Sequence, residues 1–164
     1  MKHILSALVL NKPGVLAHVA GMFAARAFNI DSLAVGRTDD PTLSRITIVV
    51  IGDDKVVEQV RKQLGKIVSV VKVQDFVGQD VVTRDLMLIN IACPIEKRPE
   101  IASLIEMFNG KVVDIAQRIV TVEIAGPESK IEAFIEACRP YGIKGMARTG
   151  TVALARQPRP SAEF

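Results

Sequence analysis

Aromatic residues are scarce in this chain: six phenylalanines, one tyrosine and no tryptophan, together 4% of 164 residues. The segments Leu43 to Ile51 and Ile119 to Ala125, which read as central strands, contain none. A surface that stacks bases on aromatic rings is therefore excluded from the obvious place for one. Charge of a single sign is missing as well. Lys+Arg number 21 and Asp+Glu 18, a net charge of +3, and no run of five like charges occurs. Nucleic-acid binders concentrate basic residues on one face, so no nucleic-acid partner is expected. Two cysteines, Cys93 and Cys138, sit among apolar neighbours without a CxxC pair. They read as small core residues of a reducing compartment rather than a disulfide framework. No apolar run approaches the roughly 20 residues a membrane-spanning helix requires. The apolar stretch after Met1-Lys2-His3 stops at Leu10 and meets Asn11-Lys12-Pro13-Gly14, a strand entering a turn rather than a signal peptide. The chain is expected to be cytoplasmic, with no membrane partner.

Catalytic groups are equally sparse. Neither His3 nor His18 has a Cys, Asp or Glu at ligand spacing, and both read as structural. Asp39-Asp40 and Asp53-Asp54 fall where turns and helix caps would use them. There is no P-loop, GxGxxG or GxSxG. No catalytic residue, no metal site and no cofactor on this chain are expected, and the protein is not expected to be an enzyme.

What the chain does have is a duplicated pattern. Ile4 to Leu10 reads as a strand, and Gly14 to Ala27 as a helix with Leu16, Val19, Ala20 and Phe23 on one face. Strands at Ile30 to Arg37 and Leu43 to Ile51 flank the turn formers Thr38 to Thr42. A second helix starts near Asp53, striped by Val57, Val60 and Leu64, before a strand at Ile67 to Val73. The order then restarts: strand Leu86 to Cys93, helix Glu96 to Phe108, strands Lys111 to Ala116 and Ile119 to Ala125, a helix opened by Gly126-Pro127, and strand Ile143 to Arg148. Strand, helix, strand, strand, helix, strand is the ferredoxin-like order. The expected fold is thus α+β, two tandem βαββαβ domains whose antiparallel sheets carry helices on one face. The expected domains are residues 1–76 and 84–156, with a linker at 77–83 and a Pro-rich tail at 157–164. In Ser44 to Ile51, Ile46, Ile48 and Val50 point one way but Val49 and Ile51 the other. The second sheet face is therefore partly apolar and should be covered by another domain or chain.

One turn stands out chemically. A helix that begins at Gly14 offers unpaired N–H groups and a positive dipole end, both suited to a carboxylate. Gly14 has no Cβ to block close approach, and Asn11 carries an amide that donates and accepts. Asn29 lies beyond the far end of the same helix, followed by apolar Ile30, Leu33 and Val35. Such groups match the carboxylate, ammonium and side chain of a free amino acid. The same residues also build an ordinary tight turn, and the residue types alone leave both readings open.

The turn residues Asn11 and Gly14, the stretch Phe28-Asn29-Ile30-Asp31-Ser32-Leu33 and the segment Thr38-Asp39-Asp40-Pro41-Thr42-Leu43-Ser44-Arg45 resemble the regulatory (small) subunit of acetolactate synthase, or acetohydroxyacid synthase. The likeness runs over about residues 1 to 155, and the first half resembles the ACT domain that binds amino acids in metabolic regulators. The resemblance implies a partner, the catalytic (large) subunit, which carries thiamine diphosphate, magnesium and FAD. It implies that the small subunit raises that partner's activity and confers feedback inhibition by valine in branched-chain amino acid synthesis. It further implies a homodimer through ACT domains with the effector between them. On this sequence Asn11, Gly14, Val15 and Leu16 would hold one end of valine, Asn29 and Ile30 the other, and Leu33 and Val35 would come from the facing chain. The second half has Pro94-Ile95-Glu96-Lys97-Arg98-Pro99 at the corresponding turn, without glycine and with added charge. It is therefore expected to pack or to contact the catalytic subunit rather than bind an effector, with the Thr38 to Arg45 hairpin a further candidate contact. The alternative is a stand-alone ACT-type sensor acting on another enzyme or regulator.

Overall fold

The computed structural model describes residues 1–157, so the expected tail lies, from residue 158 onward, outside the described residues. Among the described residues, nine strands and four α-helices follow one another as β1 (Lys2–Leu10), α1 (Val15–Ala24), β2 (Ile30–Arg37), β3 (Leu43–Ile51), α2 (Asp54–Gly65), β4 (Val70–Asp75), β5 (Val81–Ala92), α3 (Arg98–Met107), β6 (Lys111–Ile115), β7 (Ile119–Gly126), α4 (Glu128–Cys138), β8 (Ile143–Arg148) and β9 (Val152–Ala155). The chain divides into two compact units. One is Met1–Val82 with the residues from Thr151 onward, and the other is Thr83–Gly150.

The first unit holds an antiparallel sheet in the order β2-β3-β1-β4. Alternation along each strand decides what the helices cover. Leu5, Ala7 and Val9 of β1 and Ile46, Ile48 and Val50 of β3 are buried against Val15, Val19, Met22 and Phe23 of α1 and Val57, Val60 and Leu64 of α2. Each of these side chains larger than alanine contributes about 1.5–3 kcal/mol by leaving water. On the face turned from the helices, Ser6, Thr47 and Val49 are buried too, whereas Ile51 is half-exposed.

Helix α1 stops three residues before its expected end. Ala27 adopts a left-handed φ of 53°, and the Phe28 N–H reaches back to the Phe23 carbonyl at 3.1 Å, closing the helix in a Schellman-like turn. Strand β4 begins three residues later than expected. Ile67 is spent on the turn after α2, where its N–H bonds Leu64 and its carbonyl receives Val70.

The second unit repeats the topology in the order β6-β7-β5-β8. Met87, Ile89 and Ile91 of β5 and Val120, Val122 and Ile124 of β7 pack under Ile101 and Ile105 of α3 and Ile131, Phe134 and Cys138 of α4. Phe108 meets Phe134 edge to face at 5.2 Å. Both cysteines are free and buried, and burial pushes the Cys138 thiol up to about 11, which leaves almost no nucleophilic thiolate near neutrality. Pro127 caps α4 from outside instead of entering its first turn, and it is Pro99 that occupies the first turn of α3.

The units depart from the expected domain limits. Val81–Thr83, expected as linker, already belong to β5. Residues from Thr151, expected with the second domain, join the first. The Thr151 N–H donates to Ser32 Oγ at 3.0 Å, and Arg156 bonds Asp80 through its backbone N–H at 2.8 Å and its Nε at 3.1 Å.

Candidate functional site

Strand β1 runs out at Leu10, and the chain is turned by three contacts. The Asn11 N–H donates to the Thr42 carbonyl at 2.7 Å, and Lys12 N–H to Leu10 at 3.0 Å. The Asn11 side-chain Nδ2 donates to the Pro41 carbonyl at 3.0 Å, so its amide oxygen faces away from that bond. Gly14 then adopts φ 83° and ψ −12°, the left-handed region that glycine enters without strain. Its carbonyl accepts the first helical bond from His18 at 3.0 Å, and a Cβ built on it would meet nothing within 4 Å. The start of α1 therefore stands open.

Its electrostatics distinguish it from the other helices. Of the four α-helices among the described residues, α1 alone has neither a side-chain cap nor an acidic residue in its first turn. Helix α2 is capped by Asp53, whose Oδ1 accepts from Val56 N at 2.9 Å, and carries Asp54 in its first turn. Helices α3 and α4 carry Glu100 and Glu128 there. The α1 N–H groups and dipole end thus have no carboxylate from the helix's own cap or first turn, which leaves them suited to an external one.

The adjoining hairpin is held from within. Asp40 Oδ1 accepts the Thr42 hydroxyl at 2.6 Å and the Thr42 N–H at 2.9 Å, while the Thr38 hydroxyl donates to the Asp40 carbonyl at 2.9 Å. The Thr42 hydroxyl, and then its N–H, hold the Asp40 carboxyl below the usual range. Arg45 reaches across to Ser6 Oγ at 2.8 Å. Turn chemistry and this one reach account for most of the particular sequence Thr38 to Arg45.

The residues singled out from sequence separate into two groups. Asn11, Gly14, Val15 and Leu16 cluster at the α1 start. Val15 is turned into the core at 7% exposure and offers the site only its backbone, whereas Leu16 is 43% exposed. Exposed Asn29 and half-buried Ile30 lie at the opposite end of the sheet. Ile30 pairs with Val50, whereas the α1 start adjoins Leu43, a separation along β3 of roughly 23 Å at strand rise. Leu33 lies on the helix face against the core, and Val35 is 48% exposed on β2, the edge strand. One copy of the chain does not bring the two groups together. Two features carried no sequence signal: Pro41 and Thr42 act through backbone carbonyls, and His3 is buried with no hydrogen-bond partner for Nε2.

Comparison with known proteins places the chain. Residues 5–72 match the AHAS small subunit-like ACT domain, and residues 84–157 match the small subunit of acetolactate synthase. The chain belongs to the acetolactate synthase small-subunit family. It is 52% identical to a probable acetolactate synthase small subunit of Archaeoglobus fulgidus, across 95% of this chain and 98% of the relative. It is 45% identical to the Bacillus subtilis small subunit, across 95% and 91% of the two chains. The crystal structure of the Thermotoga maritima small subunit superposes with a TM-score of 0.90 at 43% identity, covering 97% of this chain and 99% of that one. The chain is thus a regulatory small subunit with an ACT domain, and the tandem ferredoxin-like fold is that of its family. No helix among the described residues is long and apolar enough to cross a membrane.

Proposed function

We propose that this small subunit activates an acetolactate synthase catalytic subunit and makes it sensitive to valine, which binds at the open start of α1. The observation that carries the reading is the α1 N-terminus without cap or acidic residue, beside Gly14 and the Asn11 amide. The α1 N–H groups take the valine carboxylate, the Asn11 amide oxygen takes a donor, and exposed Leu16 supplies apolar wall.

The site is completed by a second copy. Strand β2 is an edge, with Val35, Gly36 and Arg37 exposed. Antiparallel pairing of two β2 edges about a dyad sets the Asn29 end of one copy beside the Arg37 end of the other. The α1 start lies at that Arg37 end, because Arg37 pairs with Ser44 and Leu10 with Leu43. Asn29 and Ile30 of the partner copy then face Asn11 and Gly14, with Leu33 and Val35 lining the seam. Valine that bridges two copies favours one arrangement of the pair, and couplings of this kind amount to about 1–3 kcal/mol. The catalytic subunit carries the thiamine diphosphate, magnesium and FAD, and the complex works in the cytoplasm.

The test is reconstitution with an acetolactate synthase catalytic subunit, assayed with and without valine. Activation, and inhibition by valine that Gly14→Asp abolishes, is the expected result. No activation by the wild-type chain overturns the reading. Unchanged valine binding by Gly14→Asp in calorimetry overturns the site.

A further inference from the structure

The two repeats put different chemistry at one equivalent place. On β1, His3 pairs with Val50 and precedes the core residue Leu5 by two; on β5, Asp85 pairs with Gly126 and precedes the core residue Met87 by two. On the neighbouring strand, Asp75 faces Leu5, and Arg148 faces Met87. On the covering helix, Glu58 follows core Val57, and Glu132 follows core Ile131. His3, Asp75 and Glu58 thus stand where the second repeat has Asp85, Arg148 and Glu132.

In the second repeat an internal cation fills the space. Arg148 donates from Nε at 2.9 Å and Nη2 at 2.6 Å to Asp85 Oδ2, and from Nη1 at 2.6 Å to Glu132 Oε1. Asp85 is buried and its other oxygen accepts the Thr149 hydroxyl at 3.2 Å. In the first repeat the arginine position is a carboxylate, and a cleft of about 420 Å³ lies there between α2, β1 and β4. Asp54, Glu58 and Asp75 line it against the single guanidinium of Arg61, and Val57 and Val73 give it an apolar floor. Part of this charge is already engaged, Glu58 by Lys62 at 2.7 Å and Asp75 Oδ1 by Val77 N at 2.9 Å. The His3 side chain is 5% exposed, and its Nε2 has no partner. Asp54 Oδ1 is 3.8 Å away, beyond a hydrogen bond. With the imidazole proton on Nδ1, both atoms are acceptors, and a donor nitrogen entering from the cleft would serve both.

We propose that this cleft is a second ligand site, for a small organic cation carrying N–H donors, a guanidinium or primary ammonium compound, in the place Arg148 fills in the other repeat. It lies at the beginning of β1, the opposite end from the α1 start, and does not rest on the valine reading.

Titration of the full chain with methylguanidinium, read by imidazole ¹⁵N and ¹³C resonances of His3, tests it. The expected result is a saturable shift that tetramethylammonium, a cation without N–H donors, does not produce. Asp54→Asn changes a largely exposed residue and removes a carboxylate acceptor from the cleft, so it should weaken the response about tenfold or more. Gly14→Asp should leave the response intact. Absence of a saturable shift, an equal shift with tetramethylammonium, or an unaltered response in Asp54→Asn overturns the proposal, leaving water as the partner of Nε2.

Discussion

Helix α1 begins at a bare left-handed glycine, whereas α3, its counterpart in the second repeat, begins crowded by its own side chains. Pro94 leads into a short 3-10 turn at Ile95–Lys97, Pro99 sits in the first turn, and Glu100 stands at the dipole end. Glu100 accepts from Lys97 at 2.9 Å and from the Tyr141 hydroxyl at 2.7 Å, and these two bonds, Lys97 first, hold its carboxyl below the usual range. The same contact raises the Tyr141 hydroxyl. The two helices close the same topology over equivalent cores, so the core explains neither end. A repeat keeps its buried rows because packing and register demand them. Its ends are free to differ, and the end left without internal partners is the one with capacity for a ligand.

The sharpest way to break the comparison is at the buried polar pair of positions on β1 and β5. Asp85→Ala leaves the partly buried Arg148 with Glu132 alone and should destabilise the chain by roughly 1–3 kcal/mol in urea denaturation. His3→Leu replaces a buried group that has no partner with an apolar one of similar size, and should change stability by less than about 1 kcal/mol in either direction. Equal losses at the two positions would mean that His3 has an internal partner after all.

A smaller effect is expected at the two ends of α1. Gly14→Ala meets no atom, so only the left-handed φ of 83° opposes it, at about 1–2 kcal/mol. Ala27→Gly removes strain of the same kind at φ 53° and should raise stability by a similar or smaller amount. Thermal melts of the two variants and their combination should show opposite shifts that nearly cancel.

The smallest effect concerns pH. Asp40 is fully exposed and its folded carboxyl lies below its unfolded value. Its contribution is therefore present above the ordinary carboxylate range and fades as pH falls through the lowered value. Thr42 amide exchange should lose protection in that acid window in the wild type, and Asp40→Asn should flatten the dependence.

How much of this was visible beforehand follows from the range of the interactions. Period and apolar stripes disclosed both repeats because Val57, Val60 and Leu64, or Ile131, Phe134 and Cys138, mark a helix face by spacing alone. The last strand, β9, escaped because four residues beside a Pro-rich stretch carry no such period. At the site, Gly14 announced the helix start, yet Val15 reads the same in sequence whether its side chain is core or wall. Asn11 gave no hint that its amide would be tied to Pro41, 30 residues on. The distance between Asn29 and Gly14 is hidden because a helix and a turn separate them in sequence while a whole strand length separates them in space. His3 read as structural because its neighbours Asp54 and Asp75 come from elements far along the chain.

The return of Thr151 to the first unit bears on the order of synthesis. Ser32 and Asp80 are made early, but their partners Thr151 and Arg156 come only after the whole second unit. At a translation rate of about 5–20 residues per second, residue 151 follows residue 82 by roughly 3–14 s. The nascent first unit spends that interval without the bonds from Thr151 and Arg156. These contacts therefore close on a first unit whose own sheet is already complete.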